Sequence, residues 1–249
     1  MKNKDIKITL IFTLIGIVIG AYSGIYQMLS VPEEMKQQTI SQFGSMGALI
    51  GINILMSGIY AFIATFLGVK LARKVNLKVL PHFDNKGMIL AIILALLSAF
   101  IIVASDKFIF FSYLPVQTTS YKFSLGYLLF GVLYGGVIEE LMLRLFFMSL
   151  IVFILWKLFA RGKDRENIPN IIYVVAIFIA TLGFAAGHLP ITSQMFGLST
   201  PIIIRCILLN SVAGIGYGYL YWKKGLPYAI CAHMLTHVFM QLVFVPMLY

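Results

Sequence analysis

Charge is what this chain has least of. Only 11% of its 249 residues are Asp, Glu, Lys or Arg, where a soluble domain carries roughly a quarter. No stretch is polar enough to form a separate soluble domain, so 1–249 reads as a single integral membrane domain. Cysteine is nearly absent as well: Cys206 and Cys231 both fall inside apolar segments, show no metal-ligand spacing, and allow at most one disulfide, for which nothing in the sequence argues. Acidic residues are few, nine against nineteen basic ones, for a net charge of +10. Such a balance suits nucleic acid only when the basic residues share one polar face. Here they sit in short loops between apolar runs, the pattern of topological charge at a membrane surface. Nucleic acid is therefore excluded as a partner, and membrane lipid is expected.

What is present is hydrocarbon. The chain is 60% hydrophobic with mean hydropathy +0.94, and apolar segments recur at 8–29, 47–71, 88–105, 121–157, 171–189, 201–222 and 226–246. Their length predicts an all-α, polytopic transmembrane helix bundle of about 7–8 spans, with any active site inside the bundle. The first segment, Ile8 to Leu29, is too long for a cleaved signal and reads as a retained span. The fourth would be ~55 Å long as a regular helix, nearly twice the hydrocarbon thickness. It is one long helix, a span plus an interfacial piece, or two spans. If it crosses once, fourteen basic residues gather on one side (among them Lys2, Arg73, Lys74, Lys157 and Lys224) against Lys36, Lys107 and Lys122 on the other. That bias favours an odd number of crossings there and a cytoplasmic amino terminus. Glycines at four-residue spacing, Gly16/Gly20/Gly24, Gly47/Gly51, Gly131/Gly135 and Gly214/Gly218, predict close helix packing.

Against this background a few ionisable residues stand out, because a charge or imidazole at bilayer depth is costly. Glu139, Glu140 and Arg144 share one segment; His188 ends another; His233 and His237 lie in the last. Glu140 and Arg144, at i,i+4, can pair on one helix face, as support for a site or as a structural ion pair. Glu139 lies about 100° away on a regular helix, with apolar Leu143 as its own i+4 neighbour, and is left free to act as a base. His188 follows small residues at 185–187, with Phe184 one turn back. His233 and His237 share a face at i,i+4, a spacing that serves two metal ligands or two hydrogen-bond donors to an oxyanion. The zincin pattern needs a glutamate after the first histidine, and Met234 stands there. One difficulty attaches to the set: counted from the same membrane surface, His233 would lie ~12 Å deep and His188 ~27 Å deep.

Taken in order, Glu139-Glu140-x-x-x-Arg144, Phe184-x-x-x-His188 and His233-x-x-x-His237 resemble the CAAX prenyl protease and bacteriocin-processing family of intramembrane glutamic endopeptidases. The lead-in from Gly214 to Tyr221, the Lys224-Gly225 turn and Pro227 are similar too. The resemblance covers roughly 120–245, with 1–115 as variable amino-terminal spans. It implies a hydrolase that cleaves a peptide bond near the C-terminus of a peptide or lipidated protein substrate, without metal or other cofactor. Glu139, His188, His233 and His237 would be catalytic, and Glu140, Arg144 and Phe184 supporting. By the same resemblance Glu139 and His188 activate water and His233 stabilises the oxyanion. The family commonly has asparagine where this chain has His237. Two alternatives stay open: a zinc protease with His188, His233 and His237 as ligands, and a non-enzymatic membrane immunity or scaffold protein. A prokaryotic plasma membrane is the expected location.

Overall fold

In hydrocarbon a chain has to satisfy its own N–H and C=O groups, and a helix does so within one segment. The computed structural model describes residues 3–30, 33–114 and 123–249, and every regular element among them is helical. These are α1 (Asn3–Ser30), α2 (Glu33–Phe43), α3 (Met46–Lys74), α4 (Asn85–Tyr113), α5 (Leu125–Phe159), α6 (Asn170–Gly187), α7 (Leu189–Phe196), α8 (Thr200–Lys223) and α9 (Leu226–Leu248). Seven stretches are long and apolar enough to cross a membrane, α6 and α7 together making one of them. The chain is thus a multi-pass membrane protein. Lys2 and Lys122 of the charge bias, and residues 120–122 at the start of the expected core, lie outside the described residues.

The stretch of ambiguous length forms one continuous helix, α5. Most of its middle is π-helical, over Gly131–Glu139 and Leu141–Met148. The i→i+5 turns hold more residues each than α turns, so 35 residues span less than a regular helix of that length would.

Lipid tails are as apolar as leucine, so close packing of small residues holds the bundle together. Ala61, Ala64, Ala91, Ala95, Ala176 and Ala180 are buried inside, while Leu10, Leu14, Val18, Leu97, Phe178 and Leu182 face outward. Three of the four glycine repeats sit at helix contacts. A Cβ on Gly20 would stand 2.5 Å from the Asn53 carbonyl oxygen of α3, one on Gly214 would stand 2.9 Å from Thr181 of α6, and Gly131 and Gly135 face α9. Gly47 and Gly51 meet no other helix.

The loop 75–84 sets the height of α9. The Leu226 amide donates to the Lys78 carbonyl at 3.0 Å, the Asp84 amide to the Tyr228 hydroxyl at 2.5 Å, and the Tyr173 hydroxyl to the Val75 carbonyl at 2.7 Å. Leu226 and Ala229 are fully buried. The first turn of α9 is therefore buried against this loop.

Candidate active site

The widened turns of α5 bring both of its carboxylates towards α9. Glu140, fully buried, shares a hydrogen bond with His233: its Oε1 lies 2.9 Å from His233 Nδ1. The same oxygen is 3.0 Å from Arg144 Nη1, and Arg144 Nη2 donates to the Gly214 carbonyl of α8 at 3.2 Å. The guanidinium lies 4.9 Å from the Phe184 ring and 5.3 Å from the Tyr217 ring. A buried carboxylate and guanidinium are tolerable only when paired and further hydrogen-bonded; here α8 and α9 supply those bonds and α6 a ring face, while Glu140 Oε2 is left without a hydrogen-bond partner among the described residues.

Glu139 is less enclosed, with 21% of its side chain exposed. Its carboxylate sits between two imidazoles: Oε1 is 4.0 Å from His188 Nε2, and Oε2 is 3.9 Å from His233 Nε2. His188 caps the end of α6, and its Nδ1 donates to the Phe184 carbonyl at 2.9 Å. A carbonyl can only accept, so Nδ1 carries a hydrogen, and Nε2 faces Glu139. Phe184 meets the His188 ring edge-on at 4.6 Å and the His233 ring at 5.9 Å.

His233 is fixed on every side. Tyr217 stacks on one face at 4.6 Å and His237 stacks at 5.3 Å. The Tyr217 hydroxyl donates to Thr236 Oγ1 at 2.7 Å, and Thr236 in turn donates to the Ala232 carbonyl at 2.9 Å. His237 itself lies against the bare face of α5 at Gly131 and Gly135.

The structure therefore brings together Glu139, Glu140, Arg144, Phe184, His188 and His233, with His237 behind His233. The depth difficulty does not keep the histidines apart: His188 Nε2 and His233 Nε2 both lie within 4.0 Å of the Glu139 carboxylate. Tyr217 is the participant the sequence did not single out. It reads there as one of several tyrosines in a glycine-rich run, and only the fold shows its ring against His233. The glycine pair Gly131/Gly135 reads as generic packing but proves to be the seat of an imidazole. As to metals, the His233 and His237 rings are stacked with 15° between planes, and among the described residues no three His, Cys, Asp or Glu side chains are grouped to hold an ion.

Residues 120–239 match the family model described as Type II CAAX prenyl endopeptidase Rce1-like. No curated protein and no solved structure matches the chain. The matched stretch, a little under half of the chain, carries every residue of the cluster above.

Proposed function

We propose, from the match of 120–239 to a CAAX-type family model, that this chain is a metal-independent glutamic endopeptidase acting within the membrane. Glu139 and His188 activate the water, and His233 stabilises the oxyanion. The observation that carries this reading is the Glu139 carboxylate held between two imidazole nitrogens at 4.0 and 3.9 Å. Those separations are too long for direct hydrogen bonds, but one water fits: an oxygen ~2.8 Å from both Glu139 Oε1 and His188 Nε2 subtends about 90°, near the angle between its own hydrogens. Such a water gives one hydrogen to each acceptor and keeps a lone pair for the substrate.

In the proposed step that lone pair attacks the scissile carbonyl carbon while Glu139 takes the proton. The carbonyl electrons move onto oxygen, and the oxyanion accepts from Nε2–H of His233, whose Nδ1 is committed to Glu140. Collapse restores the C=O bond, breaks the C–N bond and returns the Glu139 proton to the leaving amine. Glu140 and Arg144 hold the His233 ring, and Phe184 packs both imidazoles. The substrate is a peptide bond near the C-terminus of a peptide or lipidated protein. Basic residues close α3 (Arg73, Lys74), α5 (Lys157) and α8 (Lys223), which supports a cytoplasmic amino terminus.

The test is cleavage of quenched peptides, prenylated and plain, by purified wild type and Glu139→Gln, with and without a chelator. Wild type should cleave regardless of chelator, and the variant should be slower by about 10²–10⁴-fold. Cleavage undiminished in Glu139→Gln would refute the role of Glu139. Loss of activity to the chelator would refute the metal-independent mechanism.

A further inference from the structure

His237 belongs to the third motif, yet it differs from its neighbours in what it touches. Its ring stacks on His233 with centroids 5.3 Å apart and planes 15° from parallel. Both of its nitrogens point at the glycine face of α5. A Cβ on Gly131 would stand 2.6 Å from His237 Nδ1, and one on Gly135 would stand 2.9 Å from His237 Nε2 and 3.2 Å from His233 Nε2. Glu139 has both other imidazoles within 4.0 Å, whereas His237 makes no such contact with either carboxylate among the described residues.

We infer that His237 is a positioning residue: its ring is a flat spacer, clamped between the Gly131–Gly135 face and His233, that fixes the direction of His233 Nε2. Its ring nitrogens donate nothing to the substrate. Opposite it, Tyr217 stacks on His233 at 4.6 Å, so His233 is held between two rings. Its remaining freedom is rotation within its plane, and the bond from Nδ1 to Glu140 stops that. The glycines are part of the device, because a methyl group at either position would have to displace the spacer. The inference rests on the proposed oxyanion role of His233.

Shape and hydrogen bonding can be separated by substitution. His237→Phe keeps a flat ring and removes both nitrogens; His237→Asn keeps a donor and removes the ring; His237→Ala removes both. β-(2-Thienyl)alanine at 237, a five-membered ring without N–H groups, guards against overpacking by the larger phenyl ring. With kcat and KM measured on a cleaved peptide, a spacer predicts that the thienyl or Phe form stays within about threefold of wild type in kcat. Ala and Asn should then lose about 10²-fold, the scale of a misplaced oxyanion donor, with KM little changed. Gly135→Ala should fall with them and partly recover in Gly135→Ala/His237→Ala. The pH profile of kcat should be the same for wild type and the thienyl form. An active Asn variant beside inactive Phe and thienyl forms would overturn the inference, as would a pH profile displaced by the thienyl ring. Glu139→Gln and His233→Ala in the same assay report on the underlying mechanism separately: activity in either would sink that mechanism whatever happens at 237.

Discussion

Replacing Arg144 by leucine tests whether the buried charges of α5 work as one unit. Arg144 and Glu140 are 1% and 0% exposed. The substitution removes the 3.0 Å contact between Nη1 and Glu140 and the 3.2 Å bond from Nη2 to Gly214. It leaves the Glu140 carboxylate at depth with His233 as its remaining partner. Removing one partner of a buried pair costs about 3–5 kcal/mol, because the other charge stays behind uncompensated. For a chain of this length each kcal/mol moves the unfolding midpoint by roughly 2–4 °C, so a fall of roughly 6–20 °C is expected. Cys206 and Cys231 are free thiols, one buried and one half-buried, so a thiol-reactive dye in detergent reports the transition. Glu140→Gln should be destabilising too, and Glu140→Gln/Arg144→Leu should be less destabilised than the two single losses added. Coupling between contacting residues of this kind is about 0.5–3 kcal/mol. Single losses that add to within about 0.5 kcal/mol, or an Arg144→Leu protein as stable as wild type, would refute the view that the pair is held in a dry, mutually dependent site.

Tyr217→Phe removes only the hydroxyl bond to Thr236 and keeps the ring on His233. It should cost about 0.5–1.5 kcal/mol of stability and leave kcat nearly intact, while Tyr217→Ala should lower kcat sharply; equal kcat values for the two variants would show that the stacked ring does not position His233. At the start of α4 the Lys224 ammonium, bonded to Asp84, holds that carboxyl below its ordinary value of 3.8. A depressed carboxyl stabilises the fold above its unfolded pKa, and that stability is lost as pH falls through the folded one. Asp84→Asn keeps an N-cap acceptor for the Lys86 amide but not the ion pair. Unfolding midpoints of wild type and variant should therefore differ at pH 6, with the gap closing only as pH falls below 3.8; a gap that stays constant from pH 6 down through that fall would show that the pair contributes nothing.

The spans were legible because hydropathy is a local property, and so was the Glu140–Arg144 pair, which needs only helical spacing. The shape of α5 was not. Nothing in the pattern from Gly131 to Met148 distinguishes i→i+5 from i→i+4 bonding, and a 100° step per residue separates Glu139 from Glu140 more than the wider turns do. The bond from His233 to Glu140 joins residues 93 apart, and the seat of His237 depends on how closely α9 approaches α5. The depth count misled because residue number along each helix does not show how the helices meet: His188 and His233 both reach Glu139 within 4.0 Å.

The charges of the cluster also bear on why the proposed chemistry is affordable at depth. Glu139 and Glu140 bring two negative charges and Arg144 one positive, so a single additional proton makes the group neutral, the state least costly in a low dielectric. On the proposed mechanism that proton lies on the 2.9 Å contact between His233 Nδ1 and Glu140 Oε1. With the proton on the ring, His233 is an imidazolium and Nε2 carries hydrogen. With it on Glu140, the acid donates to Nδ1, and the neutral ring carries its hydrogen on Nε2 instead. Both arrangements present Nε2–H towards Glu139, so the oxyanion donor does not depend on which partner holds the proton. During attack the negative charge leaves Glu139 and appears on the substrate oxygen beside that N–H. The net charge of the site is unchanged, and the charge moves only within a cluster already arranged around it, which is the condition under which fixed dipoles stabilise a transition state without reorganising. A lone carboxylate base in the same apolar setting would have no such compensation, and on the proposed mechanism this is what the second glutamate and the arginine beside Glu139 supply.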